Sequence, residues 1–158
     1  MSRVVTFGEV MLRLKSPAFE RLFQSPVLEA TFGGAEPNVA VSLAQFGVPV
    51  TFVSAVPANP IGDACVGDLR RFGVDTSAIK RQGDRLGVYF LETGANQRAS
   101  TVTYDRAGSA IAEARPGAFD WEAILDGADW FHVSGVTPAI SACAADLALE
   151  AVKTARAK

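Results

Sequence analysis

Residues 31–56 read TFGGAEPNVAVSLAQFGVPVTFVSAV, and the parsing of this run decides the fold. Val39, Ala40, Leu43, Ala44 and Phe46 recur at helical spacing. Pro37 suits a first turn and Gly47 a C-terminal stop, which predicts a helix over 36–46. The run VPVTFVSAV follows at once and reads as a strand. Upstream, Arg3–Phe7 is an apolar run stopped by Gly8, a buried first strand. Downstream, NPIGDACVGDLRRFGV predicts a second helix, with Ala64, Leu69 and Phe72 on one face and Gly73 at its end. Strand, helix, strand, helix in succession implies a parallel α/β sheet covered by helices.

Two pieces interrupt that alternation. MLRLKSP (11–17) and VLEATF (27–32) alternate apolar and polar residues, are short, and can pair as a hairpin. RLGVYFLETGANQRASTVTYDR (85–106) holds two more such runs, Gly87–Thr93 and Ser100–Tyr104, joined by a polar turn at Gly94–Asn96, an antiparallel hairpin. In the first run Tyr89 and Leu91 oppose Val88 and Phe90, so one face is expected to cover something. The α/β pattern then resumes with a helix and a strand at Trp130–Ser134, and a last helix is predicted from Pro138 to Lys158. That helix has no C-cap glycine, and the expectation is that the repeat continues in a longer protein.

Composition narrows the class. The chain has 158 residues, 49% of them apolar, a formal net charge of -2 and a pI of about 5.4. One domain with a real core is expected. Lysines and arginines are scattered rather than clustered, which argues against a nucleic-acid partner. There is no apolar run long enough to span a bilayer and no signal-peptide pattern at residues 1–10, so a cytoplasmic protein is expected. Cys65 and Cys143 form no metal-ligand cluster and read as two small buried residues.

Several residues are candidates for chemistry. Gly33-Gly34 is either a plain turn before a helix or a surface that lets a ligand approach free backbone N–H groups at the helix start. Asn38, in the first turn, can donate to and accept from hydroxyls. No GxxxxGK[ST] loop is present. Tyr104 and Arg106 lie two apart and share one strand face, with Tyr89 on the facing strand. Arg106 offers a planar fork for a carboxylate, or else a surface ion pair with Glu92. Glu9 directly follows the first strand, at the edge where open α/β sheets bind ligands, so Glu9 or Arg13 can line a site. His132 reads as a core histidine rather than a base, and Asp63 and Asp68 as solvated or capping groups.

The segments VTFGEVMLRL, FGGAEPNVAVSLAQFG, NPIGDACVGDLRRFGVDTS, GVYFLE, YDRAGSA and FHVSGV, in this order, resemble the ribokinase-like (PfkB-type) sugar kinases. Within them the chain is most similar to the 2-keto-3-deoxygluconate kinases. The resemblance implies a three-layer α/β/α sheet with a small β-sheet lid, here cut to its N-terminal half, the lid strands falling at about 11–32 and 86–106. It implies that Gly33, Gly34 and Asn38 bind sugar hydroxyls and that Tyr89, Tyr104 and Arg106 hold the keto acid. Where many members have an acidic residue this chain has Arg13, an arginine that keto-deoxy-sugar relatives share, and Pro57 stands where many have glycine. ATP and Mg2+ are the implied cofactors, with a monovalent cation as a further candidate, and a homodimer through the lid sheets is the implied assembly. The GAGD-type motif, with its general-base aspartate, is absent from these residues and expected beyond Lys158, so the chain alone is expected to be inactive. Two alternatives stand beside a keto-acid kinase: another sugar or nucleoside kinase of the family, and a truncated, non-catalytic sugar-binding or dimerising module.

Overall fold

The structure, a computed structural model, describes residues 2–158. Its main sheet is parallel, with strand order β5-β4-β1-β8. These strands are Val4–Phe7 (β1), Val50–Val56 (β4), Ile79–Arg81 (β5) and Trp130–His132 (β8). The near-continuous apolar sequence of β1 and β4 follows from burial on both faces. On one face Val4, Val50, Phe52 and Val56 pack with Ala40 of α1 (Ala35–Gln45) and Cys65 and Leu69 of α2 (Pro60–Arg71). On the other, Val5, Phe7 and Val53 pack with Trp121 of the short α3 (Trp121–Ile124) and Leu147, Ala148 and Ala151 of α4 (Ala142–Ala157). Helix, sheet and helix make the three layers expected from the sequence.

The remaining strands are Met11–Lys15 (β2), Glu29–Gly33 (β3), Gly87–Glu92 (β6) and Thr101–Asp105 (β7). They form a second four-stranded sheet in the order β3-β2-β6-β7. The two hairpins are antiparallel, and they are joined by a parallel pairing of β2 with β6.

Several element boundaries and faces differ from expectation. The last helix begins at Ala142, not Pro138: Pro138 sits in a 3-10 turn, Thr137–Ala139, and the Ser141 hydroxyl caps α4 by accepting from the Ala144 N–H at 3.0 Å. Strand β8 stops at His132 because the Ser134 N–H turns away to a carboxylate in α1. In α2 the buried face is Gly62, Cys65, Val66 and Leu69, an i, i+3, i+4, i+7 set, and Ala64 is exposed. Phe46 is 84% exposed: it is the C-cap of α1, past the last core-facing turn. Cys65 is buried but Cys143 only partly so.

Candidate functional site

The start of α1 and one face of the second sheet meet around Gly33. Side chains in register across a sheet share a face. Arg13 lies opposite Thr31 on β3 and opposite Tyr89 on β6, and Tyr89 lies opposite Tyr104 on β7. One row therefore reads Thr31, Arg13, Tyr89, Tyr104. The next row on the same face carries Gly33, Met11 and Gly87. Arg106 follows β7 by one residue, and its Cζ lies 5.4 Å from the Tyr104 ring centroid. The Tyr89 and Tyr104 rings are 5.9 Å apart. Arg13 donates from Nε to Thr31 Oγ1 at 2.7 Å, and Tyr104 is 58% exposed.

Gly33 is where this face reaches the helix. A Cβ there would lie 3.4 Å from Asn38 Oδ1 and 3.5 Å from the Tyr89 hydroxyl oxygen, so these polar atoms surround a surface with no side chain of its own. Gly34 precedes α1 with an extended backbone (φ 174), so its glycine is not required by conformation. It is required by space: a Cβ on Gly34 would overlap the Glu9 carbonyl oxygen. Asn38 Oδ1 lies 3.5 Å from the Gly34 N–H, at the limit of a hydrogen bond. Gly33, Gly34, Asn38, Tyr89, Tyr104, Arg106 and Arg13 thus gather at one place.

Glu9 is there too, but not as a free carboxylate. It is 2% exposed. Its Oε2 accepts from Arg106 Nε at 2.7 Å and forms an ion pair with Nη2, and its Oε1 accepts from the Ser109 hydroxyl at 2.6 Å. The surface pair weighed for Arg106 with Glu92 does not form. Glu92 accepts from the Leu22 N–H and pairs with Arg98, and these, the Leu22 bond foremost, hold its carboxyl below the ordinary range.

Glu36 is a feature missed in the sequence. It sits in the first turn of α1 and is 1% exposed. Its Oε1 accepts from the Ser134 N–H (2.9 Å), the Ser134 hydroxyl (2.7 Å) and the Thr137 hydroxyl (2.9 Å). Its Oε2 has no hydrogen-bond partner among the described residues and lies where a Cβ on Gly8 would be. The available signals were an acidic residue in an otherwise apolar helix start and a glycine closing the first strand.

Other candidates lie elsewhere. Asp63 pairs with Arg81 and Asp68 with Arg71. His132 is half-buried on β8, in register with Thr6.

Comparison with known proteins gives this geometry a setting. The family described as pfkB family carbohydrate kinase matches residues 1–158. The chain belongs to this family. It is 36% identical to the 2-dehydro-3-deoxygalactonokinase of Haloferax volcanii over 154 residues, covering 98% of this chain and 48% of the relative. It is 30% identical to the 2-dehydro-3-deoxygluconokinase of Bacillus subtilis over 139 residues, covering 87% of this chain and 43% of that one. The crystal structure of 2-dehydro-3-deoxygluconokinase from Thermotoga maritima superposes with a TM-score of 0.97 at 54% identity, over 99% of this chain and 48% of its own. This pfkB-family chain therefore spans about half the length of the relatives it matches. With the family established, the fold is ribokinase-like.

The family implies ATP, with Mg2+ as its usual companion. The described residues form no metal site of their own. No group of three or more His, Cys, Asp or Glu that could hold a metal is present among them; both Glu9 oxygens are engaged, and Glu36, whose Oε2 is unpartnered, belongs to no such group.

Proposed function

We propose that these residues are the acceptor-binding half of an ATP-dependent kinase that phosphorylates a primary hydroxyl of 2-keto-3-deoxygluconate. The observation that carries this is Arg106 beside the Tyr89–Tyr104 pair, on the lid face above Gly33. A planar cation beside the Tyr104 phenol, with the Tyr89 ring next to that one, suits a carboxylate attached to a polyol. Gly33 and Gly34 give the sugar close access to the helix start, and Asn38 offers both donor and acceptor to its hydroxyls. Arg13, in the same row, extends the polar wall. These residues bind and orient; ATP would bring the phosphoryl group, and the groups that promote its transfer are assigned to sequence outside these 158 residues. The 158-residue chain alone is then expected to release no ADP. We further read the intact protein as a cytoplasmic homodimer joined through its lid sheets, in keeping with the exposed outer strand β7.

The test uses the full-length kinase with two substrates: 2-keto-3-deoxygluconate, and the analogue in which the carboxylate is reduced to an alcohol. Arg106→Ala is expected to lower kcat/KM for the acid on the order of 100-fold and for the neutral analogue only about 3-fold. Equal losses on both would remove the carboxylate contact. The name of the Haloferax relative makes the galacto epimer the necessary third substrate, because the two acids differ at one hydroxyl.

A further inference from the structure

Glu9 occupies an unusual position. It follows β1 of the main sheet with only Gly8 between, whereas Arg106 and Ser109 follow the last lid strand, about a hundred residues later. The carboxylate sits in a niche that glycine keeps open. A Cβ on Gly87 would come within 2.5 Å of Glu9 Oε1 and 3.3 Å of Arg106 Cβ. The Glu9 backbone carbonyl lies against Gly34, so the residue that reaches Arg106 with its side chain also supports the floor of the site with its main chain.

We propose that Glu9 is a positioning residue that acts on substrate through Arg106, with Ser109 fixing the carboxylate from its other oxygen. The geometry supports this over direct substrate contact: Glu9 is almost fully buried, and both its oxygens are occupied. Its partner keeps 23% of its side chain exposed and uses only Nε and Nη2 in the bracket, which leaves Nη1 for a ligand. A long, flexible side chain loses rotamer freedom when it binds a ligand. Glu9 imposes that order before the ligand arrives, so the guanidinium presents one edge in one orientation. The bracket also spans the main sheet and the lid, so the carboxylate end of the substrate is registered against the same strand that supports its hydroxyl end.

This rests on reading Arg106 as the carboxylate contact, and the experiment separates the two claims. In the full-length kinase, Glu9→Gln is expected to lower kcat/KM about 10-fold for 2-keto-3-deoxygluconate, mainly through KM, and less than about 3-fold for the neutral C1-alcohol analogue. On the acid, Glu9→Gln combined with Arg106→Ala should be no worse than Arg106→Ala alone, because the first acts only through the second. Ser109→Ala leaves the Glu9–Arg106 pair in place and should shift the acid-to-neutral preference in the same direction, by about 3-fold. It carries the test should the Glu9 variant fail to fold. Equal losses on acid and neutral substrate for Glu9→Gln or, if that variant does not fold, for Ser109→Ala would overturn the inference. So would additive losses in the double variant. If Arg106→Ala discriminates and neither bracket variant does, only the positioning role falls; if Arg106→Ala itself fails to discriminate, both readings fall.

Discussion

Glu36 shows how much can hang on one carboxylate oxygen. Three donors from the segment after β8 converge on it, and removing the acceptor would strand them in a buried place. Unsatisfied buried donors cost more than the bonds they lose. Glu36→Ala is therefore expected to destabilise the fold by roughly 2–4 kcal/mol, seen as a lower urea midpoint, and to loosen the Ser134–Thr137 segment. A variant as stable as the parent would show that those donors find other partners. The candidate residues Gly33, Gly34, Asn38, Tyr89, Tyr104 and Arg106 were legible in the sequence because strand alternation and helix starts are local patterns. Glu36 and Ser109 were not, and Glu9 was legible only as a possible lining group. Their roles come from partners 97 to 101 positions away, which no local pattern encodes.

At the level of elements, the link between α2 and β5 explains the GVDTS segment. Asp75 accepts from the Ser77 N–H (2.9 Å), the Ser77 hydroxyl (3.0 Å) and the Thr51 hydroxyl (2.9 Å), and its own backbone pairs with β4. Burial would raise its carboxyl, but the Ser77 and Thr51 hydrogen bonds and the charge of Arg3 outweigh burial and hold it below the ordinary value. A carboxyl whose folded pKa lies below its unfolded one stabilises the fold fully above the unfolded value, near 4 for aspartate, and less as pH falls through the folded one. Asp75→Asn should accordingly lower the urea midpoint at pH 7, and the gap to the parent should narrow steadily between pH 5 and pH 2. A gap independent of pH would mean that the ionised form contributes nothing. Element type was readable throughout, while starts and faces were less so. The start of α4 was misplaced because Pro138, a common first-turn residue, preceded the true cap at Ser141. The core face of α2 is rotated from the predicted Ala64, Leu69 and Phe72 face, since the helical period places Gly62, Cys65, Val66 and Leu69 there.

Across the whole molecule, the parallel sheet followed from the alternation of strands and helices, while the three layers and the gathering of both hairpins into one small sheet came only with the family resemblance. The parallel pairing of β2 with β6 joins segments about 75 residues apart, and nothing in either hairpin alone specifies it. That union leaves β7 as an outer strand with Val102 and Tyr104 exposed. An exposed strand edge is a template for pairing, which underlies the proposed dimer. Sedimentation of the full-length protein should show a dimer, and Val102→Lys should shift it towards monomer. A monomeric parent would dismiss this assembly. The niche around Glu9 has one more consequence, for how such a sequence can drift. A methyl group at position 87 is excluded by the carboxylate at position 9, and one at position 34 by the carbonyl of the same residue. Three segments far apart in the chain thus share one constraint, so substitutions at 9 and 87 are epistatic. The cost of a larger residue at 87 depends on the length of the side chain at 9, and a pairwise substitution scan would find them changing together rather than one at a time.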